Sequence, residues 1–429
     1  MAMFQVLNGF REFYPEDCAF QNFLFSKFRL SAEIFGFEEY NAPILEPTEL
    51  FTAKSGEEIV SQLFNFQDKG GREVAMRPEA TPSLARMVGE KASAMRKPIK
   101  WFTIAEAFRY ERPQKGRLRS FYQFNVDIFG DPSCYADAEV ISLAVYTLKE
   151  LGLTEKDFHV RLSDRNLWAL FIMSQGILEE DVAAVLIIID KIERESPEQV
   201  ITKLNAIKGA DGTLLYDQIS RLRSAKSLAE IQQFFNDVCF ENPAIAKRIA
   251  EFSDLLKRLD DLEMMPFITI DFSIVRGLAY YTGFVFELFE RSGKSRALAG
   301  GGRYDHLVKK LGYNDLPAVG LAIGDVTLGN LLREKGIAAP LSKQIDSFIV
   351  YSEKTESVAM HYASQFRNKG IKTEYLLEPA SFSKQLKTAA QSNAKLAIIF
   401  GENEAKDESA IIKNMATGEE KIVPFKKLL

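Results

Sequence analysis

The sequence predicts an α+β protein whose middle is helical and whose C-terminal region is a small α/β unit. Aromatic, strand-forming residues flank a basic loop in residues 108–124, whereas residues that favour helices dominate the stretch from about 165 to 265. After residue 345, short apolar runs alternate with helical patterns, which is typical of an α/β domain with a largely parallel sheet. The length of 429 residues fits two or three domains.

The N-terminal region predicts a long amphipathic helix followed by a strand. Apolar residues recur at helical spacing between residues 18 and 36, and Gly36 ends the pattern. Residues 38–45 favour an extended segment that Pro43 and Pro47 interrupt.

Composition shifts and chain breakers predict the domain boundaries. Ser196 opens a capping-box pattern inside the helical stretch, and strand-like sequence resumes at residues 267–272. Gly336 and Pro340 lie in a segment that favours a linker. We therefore predict a first domain with a helical insertion, a linker and a second domain, covering residues 1–332 (insertion about 165–265), 333–345 and 346–429.

Composition excludes several classes of protein. A hydrophobic fraction of 46% and a charged fraction of 26% are ordinary for a globular chain, and no apolar run approaches the length of a membrane span. The N-terminus has neither signal-peptide nor transit-peptide character, which predicts a cytoplasmic protein without a membrane partner. Three cysteines and three histidines are too few and too scattered to predict a metal site. With a net charge of −5, a nucleic-acid partner would be held by local basic surfaces.

The basic loop is the most informative segment. Five cationic side chains fall within eleven residues, interrupted by Pro113 and Gly116, and these are Arg109, Arg112, Lys115, Arg117 and Arg119. Arginine binds phosphate in a fixed orientation because its planar fork donates two parallel hydrogen bonds. The loop therefore indicates either a phosphate or nucleic-acid site, or a solvated charged hairpin.

Further segments add polar groups at useful spacings. Residues 77–82 offer a glutamate and a threonine, which are suitable acceptors for a buried ammonium group. Gln123 and Asp127 are four residues apart, so they share one face of a strand. Residues 271–287 contain a lone arginine, Arg276, among aromatic residues.

Two glycine-rich segments follow. Residues 299–305 read Ala-Gly-Gly-Gly-Arg-Tyr-Asp, a strand and turn over which a ligand can lie closely. Residues 318–328 read Ala-Val-Gly-Leu-Ala-Ile-Gly-Asp-Val-Thr-Leu.

In this order, the segments resemble the histidyl-tRNA synthetase family of class II aminoacyl-tRNA synthetases. Residues 108–124 resemble its motif 2, and residues 271–287 its Arg-Gly-Leu-Asp-Tyr-Tyr element, with Ala279 in place of the aspartate. The resemblance implies an antiparallel sheet flanked by helices, a homodimer and a C-terminal anticodon-binding domain. It also implies ATP-dependent attachment of histidine to tRNA(His) through a histidyl-adenylate, with Mg²⁺ as cofactor.

The resemblance assigns roles to individual residues. Arg109 and Arg276 would be catalytic. ATP would contact Arg109, Glu111, Arg117 and Arg276. Histidine would contact Glu79, Thr81, Gln123, Asp127, Tyr280, Tyr281, Gly301 and Arg303. The tRNA acceptor end would contact Arg112 and Lys115.

One position departs from the pattern. Motif 3 of most class II synthetases ends in an arginine that packs on the adenine and reaches the γ-phosphate, and Thr327 stands there. Two interpretations stay open. The chain is either an active synthetase in which another cation, such as Arg117 or Mg²⁺, takes that role, or an inactive histidine-binding subunit resembling the regulatory subunit of ATP phosphoribosyltransferase. A third, an RNA-binding accessory protein, leaves the histidine-pocket residues unexplained.

Overall fold

The structure, a computed structural model, describes residues 4–52, 60–114, 116–239, 242–275, 280–293, 296–337 and 344–428. The chain divides into two compact units. The first comprises Met1–Phe13 and Gln21–Ala338, and the second comprises Tyr14–Phe20 and Ala339–Leu429. The division after residue 338 falls inside the segment 333–345 that the sequence predicts as a linker.

The first unit contains most of the secondary structure, and α1 is given with it although its residues 15–20 are grouped with the second unit. Its helices are α1 Pro15–Ile34, α2 Thr48–Thr52, α3 Thr81–Lys91, α4 Cys134–Glu150, α5 Arg165–Ser174, α6 Glu179–Lys191, α7 Pro197–Asn205, α8 Gly212–Ser224, α9 Leu228–Val238, α10 Pro243–Asp261, α11 Leu307–Lys310 and α12 Asp325–Glu334. Its strands are β1 Glu38–Glu39, β2 Leu45–Pro47, β3 Phe64–Gln67, β4 Glu73–Met76, β5 Ile99–Phe108, β6 Ser120–Phe129, β7 Phe158–Asp164, β8 Ile268–Ile270, β9 Phe284–Glu290, β10 Ala299–Arg303 and β11 Ala318–Gly324.

Within the described residues, eight strands form the main sheet in the order β1-β5-β6-β11-β10-β9-β7-β8. The interior pairings are antiparallel, and the two edge pairings, β1 with β5 and β7 with β8, are parallel. The sheet is therefore mixed, and its central part is the antiparallel sheet that the resemblance predicts. A separate antiparallel sheet joins β2, β4 and β3.

Helices cover the main sheet with apolar side chains. Phe28 of α1 stacks on Phe124 of β6 with ring centroids 4.7 Å apart, and both rings are fully buried. Most of α4 is buried, including Val140, Ile141 and Leu143. Burial of this much apolar surface is the main favourable contribution to folding. It also packs α1 against β6 in the interior of the sheet.

The helical insertion that the sequence predicts lies between β7 and β8, where α5 to α10 follow one another. The capping box at Ser196 is confirmed, because its side chain accepts from Gln199 N while the Gln199 side chain accepts from Ser196 N. Asp211, Ser227 and Asn242 cap the starts of α8, α9 and α10 in the same way, by accepting backbone N–H groups.

The second unit has an α/β core. Its elements are β12 Ile345–Tyr351, α13 Glu356–Asn368, β13 Thr373–Tyr375, α14 Phe382–Gln391, β14 Ala394–Phe400, α15 Glu402–Lys406, β15 Ser409–Asn414 and β16 Glu420–Pro424. The described strands pair in the order β13-β12-β14-β15-β16. The first three are parallel, whereas β15 and β16 form an antiparallel hairpin with Ile411 opposite Ile422. The two apolar pairs Ile411-Ile412 and Ile422-Val423, separated by Thr417-Gly418, are typical of such a hairpin.

The α+β class is therefore confirmed. The described helices include none that is both long and apolar enough to cross a bilayer.

Candidate active site

A cavity of about 790 Å³ opens on one face of the main sheet. Its floor comes from β6, β11 and β10, and one wall comes from β7 and β9. The turn that joins β5 to β6 and the first residue of α3 close one side, and residues of α6 and α8 close another. The volume is in the range of small-molecule sites.

The cavity brings together most of the residues that the sequence predicts for the site. Nine of the predicted residues line it within the described part of the chain, and these are Glu79, Thr81, Arg109, Glu111, Arg117, Gln123, Asp127, Tyr280 and Tyr281. They come from four separate segments of the chain, so the fold brings the segments together.

Glu79 is held in the loop between β4 and α3. Arg77 anchors this loop, because its buried guanidinium donates to the carbonyl oxygens of Glu106 (2.7 Å) and Ala42 (2.9 Å). The Glu79 side chain is buried and accepts a hydrogen bond of 2.9 Å from the Tyr280 hydroxyl on Oε2. Its Oε1 has no partner among the described residues. Burial raises the pKa of Glu79, and the charge of Arg109 and the Tyr280 hydroxyl offset part of the rise.

Asp127 is the second buried carboxylate of the cavity. Every second residue of β6 faces the cavity, so Gln123, Asn125 and Asp127 share that face. The Tyr304 hydroxyl donates to Asp127 Oδ1, and Oδ2 has no partner within the described residues. Burial raises the pKa of Asp127 to about 7, the Tyr304 hydroxyl lowers it, and the charge of Glu79 raises it further.

The strand beside Asp127 leaves room for its carboxylate. Gly320 of β11 lies directly opposite Asp127 in the antiparallel register. A Cβ on Gly320 would lie 1.9 Å from Asp127 Oδ1, a distance that no side chain could accept. Glycine is therefore required here by the close approach of the carboxylate, not by backbone conformation.

Two buried carboxylate oxygens thus face the cavity without a partner in the described structure. Burying an ionised carboxylate without a partner costs much free energy, and a cation or a hydrogen-bond donor offsets that cost. The site is therefore suited to a ligand that carries at least two donors, one of them cationic.

The turn between β5 and β6 supplies arginines at the other side of the cavity. Arg109 Nε donates to the Pro78 carbonyl oxygen at 3.0 Å, and its guanidinium lies 5.4 Å from the centre of the Phe121 ring. Arg117 pairs with the buried Glu111, and backbone hydrogen bonds join Arg117 to Gln114. These contacts hold both side chains in the cavity wall.

Five of the predicted residues are not among the described residues that line the cavity, and three of them belong to the basic turn and to the segment 271–287. Arg276 and Lys115 lie outside the described residues. Arg112 is exposed in the turn and is absent from the described cavity lining. Its exposure suits a contact with a large ligand better than a contact with a small molecule inside the cavity.

The predicted histidine contacts of Gly301 and Arg303 stay predictions, and neither residue is among the described residues that line the cavity. Arg303 is buried, and its guanidinium is occupied by the Asp137 carboxylate, the carbonyl oxygens of Asp131 and Ser133, and Asp305. A Cβ on Gly301 would lie 2.3 Å from the Gly320 carbonyl oxygen. Arg303 therefore ties β10 to α4, and Gly301 allows β10 and β11 to lie close together at the cavity floor.

The structure adds residues that the sequence did not single out as site residues. Asn125 faces the cavity between Gln123 and Asp127, and its strand spacing could have revealed it. Tyr304 binds Asp127 from within the glycine-rich segment that the sequence did identify. Arg161 also lines the cavity, where it pairs with Asp271 at 2.8 Å, but it is a lone arginine in β7 without a pattern around it.

The part of the chain that the structure describes contains no cluster of three or more His, Cys, Asp or Glu side chains arranged to hold a metal ion. The cavity does offer individual carboxylates, among them Glu111 and Glu287.

Two family profiles and a curated relative match nearly the whole chain. The histidyl-tRNA synthetase family profile matches residues 9–327, and the anticodon binding domain profile matches residues 339–429. A curated histidine–tRNA ligase from Opitutus terrae is 47% identical over 425 residues, which cover 99% of this chain and 97% of that protein.

Solved structures share the fold. The histidyl-tRNA synthetase from Nostoc has a TM-score of 0.79 at 22% identity, covering 99% of this chain and 98% of that one. A protein from Bacillus halodurans described as an ATP phosphoribosyltransferase regulatory subunit/histidyl-tRNA synthetase has a TM-score of 0.76 at 21% identity, covering 93% of this chain and 99% of that one. At these identities the likeness concerns the fold alone, whereas the family profile and the Opitutus relative extend over most of the sequence. On those two findings, the chain belongs to the histidyl-tRNA synthetase family.

Proposed function

We propose that this chain uses ATP to attach histidine to tRNA(His) through a histidyl-adenylate. The observation that carries the proposal is the pair of buried carboxylates, Glu79 and Asp127, facing the same cavity as the arginines of the β5–β6 turn. Histidine carries an ammonium group and an imidazole N–H, and ATP carries phosphates. The cavity therefore has acceptors and cations that match the two small substrates.

In this proposal the histidine lies between the two carboxylates. Glu79, with Thr81 beside it, binds the α-ammonium group, and Asp127 accepts the imidazole N–H. Tyr281 donates to the other ring nitrogen, and Gln123 accepts from the ammonium. A site that pairs both ring nitrogens discriminates strongly against analogues without them, because its buried polar groups would stay unpaired.

The first chemical step forms the adenylate. A carboxylate oxygen of histidine attacks the α-phosphorus of ATP, the bond from that phosphorus to the bridging oxygen breaks, and pyrophosphate leaves with that oxygen and its electron pair. Arg109 and Arg276 stabilise the negative charge that builds on the α-phosphate oxygens. Glu111 holds Arg117 towards the outer phosphates. Positioning of the two reactants supplies a further large part of the rate.

The second step transfers histidine to tRNA. A terminal ribose hydroxyl of the tRNA attacks the carbonyl carbon of the adenylate, the bond from that carbon to the phosphate oxygen breaks, and AMP leaves while the hydroxyl proton passes to solvent. Arg112 and Lys115 bind the acceptor end through its phosphates. The second unit binds the anticodon stem-loop, in line with the anticodon binding domain profile.

Magnesium would enter with ATP. Mg²⁺ in phosphoryl-transfer sites is commonly held by one or two carboxylates together with substrate phosphates and water, so a three-residue protein cluster is not needed. Glu111 and Glu287 are the carboxylates whose place in the cavity fits such a role, and Glu111 Oε1 has no partner among the described residues. When bound, the ion would neutralise charge on the outer phosphates.

The proposal also covers the domains, the location and the oligomeric state of the protein. We assign catalysis to residues 1–332 with the insertion at about 165–265, a linker to 333–345 and anticodon binding to 346–429, in the cytoplasm. We also propose a homodimer. The exposed Leu30 and Ile34 lie four residues apart on α1, and Ile44 and Leu45 are exposed near β2.

The test is histidine-dependent exchange of labelled pyrophosphate into ATP, with and without Mg²⁺, followed by histidylation of tRNA(His). Exchange and charging are expected with histidine and absent with the other amino acids. Tight histidine binding without exchange would contradict the proposal and favour the regulatory-subunit interpretation, with which the fold is also compatible.

A further inference from the structure

We propose that Arg296 binds the outer phosphates of ATP, at the position that Thr327 leaves uncharged. This inference rests on the proposed function and names a residue to which neither the sequence motifs nor the family resemblance assigns a role. It begins from the end of the cavity where the β5–β6 turn, the start of β10 and the start of α12 meet.

Arg296 and Thr327 both lie close to Gly116, at the tip of the β5–β6 turn. Gly116 has a positive φ of 78°, and a Cβ built on it would lie 3.7 Å from Arg296 Cδ and 3.7 Å from Thr327 Oγ1. These two atoms therefore lie on the same side of the turn, within one side-chain length of each other. Arg296, Thr327 and Gly116 all line the cavity.

The sheet register gives an independent reason for this proximity. Ala299 of β10 pairs with Ile323 of β11, and Gly324 N donates to the Leu298 carbonyl oxygen at 3.3 Å. The chain before β10 therefore runs alongside the chain after β11. Arg296 lies on the first of these segments and Thr327 on the second.

Arg296 has an uncommitted charge. Three other cavity arginines are neutralised by carboxylates, Arg117 by Glu111, Arg161 by Asp271 and Arg223 by Glu193. Arg109 and Arg194 also line the cavity without an ion pair among the described residues, but neither lies beside Thr327. The Arg296 side chain is exposed, and in the described structure it has neither an ion pair nor a hydrogen bond. An exposed guanidinium beside a cavity is free to bind a bidentate anion such as phosphate.

The location favours the outer phosphates over the other groups of the substrates. The two carboxylates that suit histidine lie on β6 and before α3, whereas Arg296 lies beside the turn that carries Arg117. A triphosphate that places its α-phosphate at Arg109 can extend along this turn. Arg296 would then meet the phosphates that leave as pyrophosphate.

The test measures pyrophosphate exchange in the full chain. Arg296→Ala should raise the KM for ATP and the KM for pyrophosphate each by about 10- to 100-fold, the size expected for a lost charged hydrogen bond. The KM for histidine should change less than about twofold, because its contacts lie elsewhere. Adding Thr327→Arg to Arg296→Ala should recover most of both KM values, since it restores a cation at the same place.

Arg194→Ala serves as the matched control. It removes an exposed arginine from the helical-insertion side of the same cavity, and both KM values should stay unchanged. An equal rise in this variant would overturn the inference in favour of a general loss of positive charge. Unchanged KM values in Arg296→Ala, or a rise for ATP without a rise for pyrophosphate, would also overturn it. If the unmodified chain showed no exchange, that result would contradict the proposed function itself, and the inference about Arg296 would fail with it.

Discussion

At the scale of single residues, the site depends on carboxylates that the fold removes from water. Asp127 is 2% exposed, and its pKa is raised to about 7. Keeping this buried carboxylate ionised costs free energy while no cation lies beside it. A cationic ligand would therefore stabilise its ionised form. The unliganded protein therefore carries a penalty that ligand binding relieves.

Asp127→Asn should change how stability depends on pH. The folded pKa of about 7 lies above the ordinary value of 3.8, so the folded state holds the proton more tightly than the unfolded chain. The contribution of Asp127 to the free energy of unfolding is then fully present below about pH 4 and is lost as the pH rises to about 7. The ligand-free variant should therefore become more stable relative to the parent across this range, as measured by urea unfolding. Parallel pH profiles for the two proteins would contradict the assignment.

Gly320→Ala should displace Asp127. The added Cβ would lie 1.9 Å from Asp127 Oδ1, so the carboxylate or the strand must move. Overpacking of this kind costs about 1–3 kcal/mol, and we expect a raised KM for histidine as well. Gly324→Ala is the control on the same strand, because nothing lies within 4 Å of its added Cβ. Equal stability losses in the two variants would argue against displacement of Asp127.

At the scale of elements, β10 and α4 are joined by a buried ion pair. Arg303 is 4% exposed and Asp137 is fully buried, and Arg303 also donates to the carbonyl oxygens of Asp131 and Ser133. This network fixes β10, which forms part of the cavity floor. We therefore expect Arg303 to act through this network, although it resembles a pocket residue in sequence.

Arg303→Met should therefore destabilise the fold. Removing one partner of a buried pair costs about 3–5 kcal/mol, because the other charge stays buried and unpaired. Calorimetric or urea unfolding should show this loss, and the KM for histidine in the folded protein should stay near the parent value. The double variant with Asp137→Leu should recover part of the stability. Unchanged stability together with a raised KM for histidine would instead support the predicted contact between Arg303 and histidine.

At the scale of the whole molecule, the proposed homodimer predicts that the exposed apolar residues of α1 are buried between the two subunits. Ile34 is 55% exposed and Leu214, in the insertion helix α8, is 53% exposed. Ile34→Glu should dissociate the dimer in analytical ultracentrifugation, since a charge buried at an interface without a partner is unfavourable. Leu214→Glu makes the same chemical change away from α1 and should leave the mass unchanged. Identical sedimentation of all three proteins would exclude this face as the interface.

Much of the fold could be predicted because its local patterns are strong. The helix that Gly36 ends, the capping box at Ser196 and the terminal hairpin of the second unit all follow from spacing and turn residues. The parallel edges of the main sheet could not be predicted, since pairing between distant strands leaves no mark on local sequence. The same holds for the short β1, which pairs with the far longer β5.

The sequence by itself determined the family resemblance, the element types and nine of the residues that line the cavity. It could do so because the basic turn, the Glu79 loop and the Gln123–Asp127 strand each carry their chemistry within a few residues. Only the tertiary structure decided that Arg303 is paired with Asp137, that Gly320 makes room for Asp127, and that Arg296 lies beside Thr327. These facts depend on strand register and burial, which are set by contacts between segments far apart in the chain.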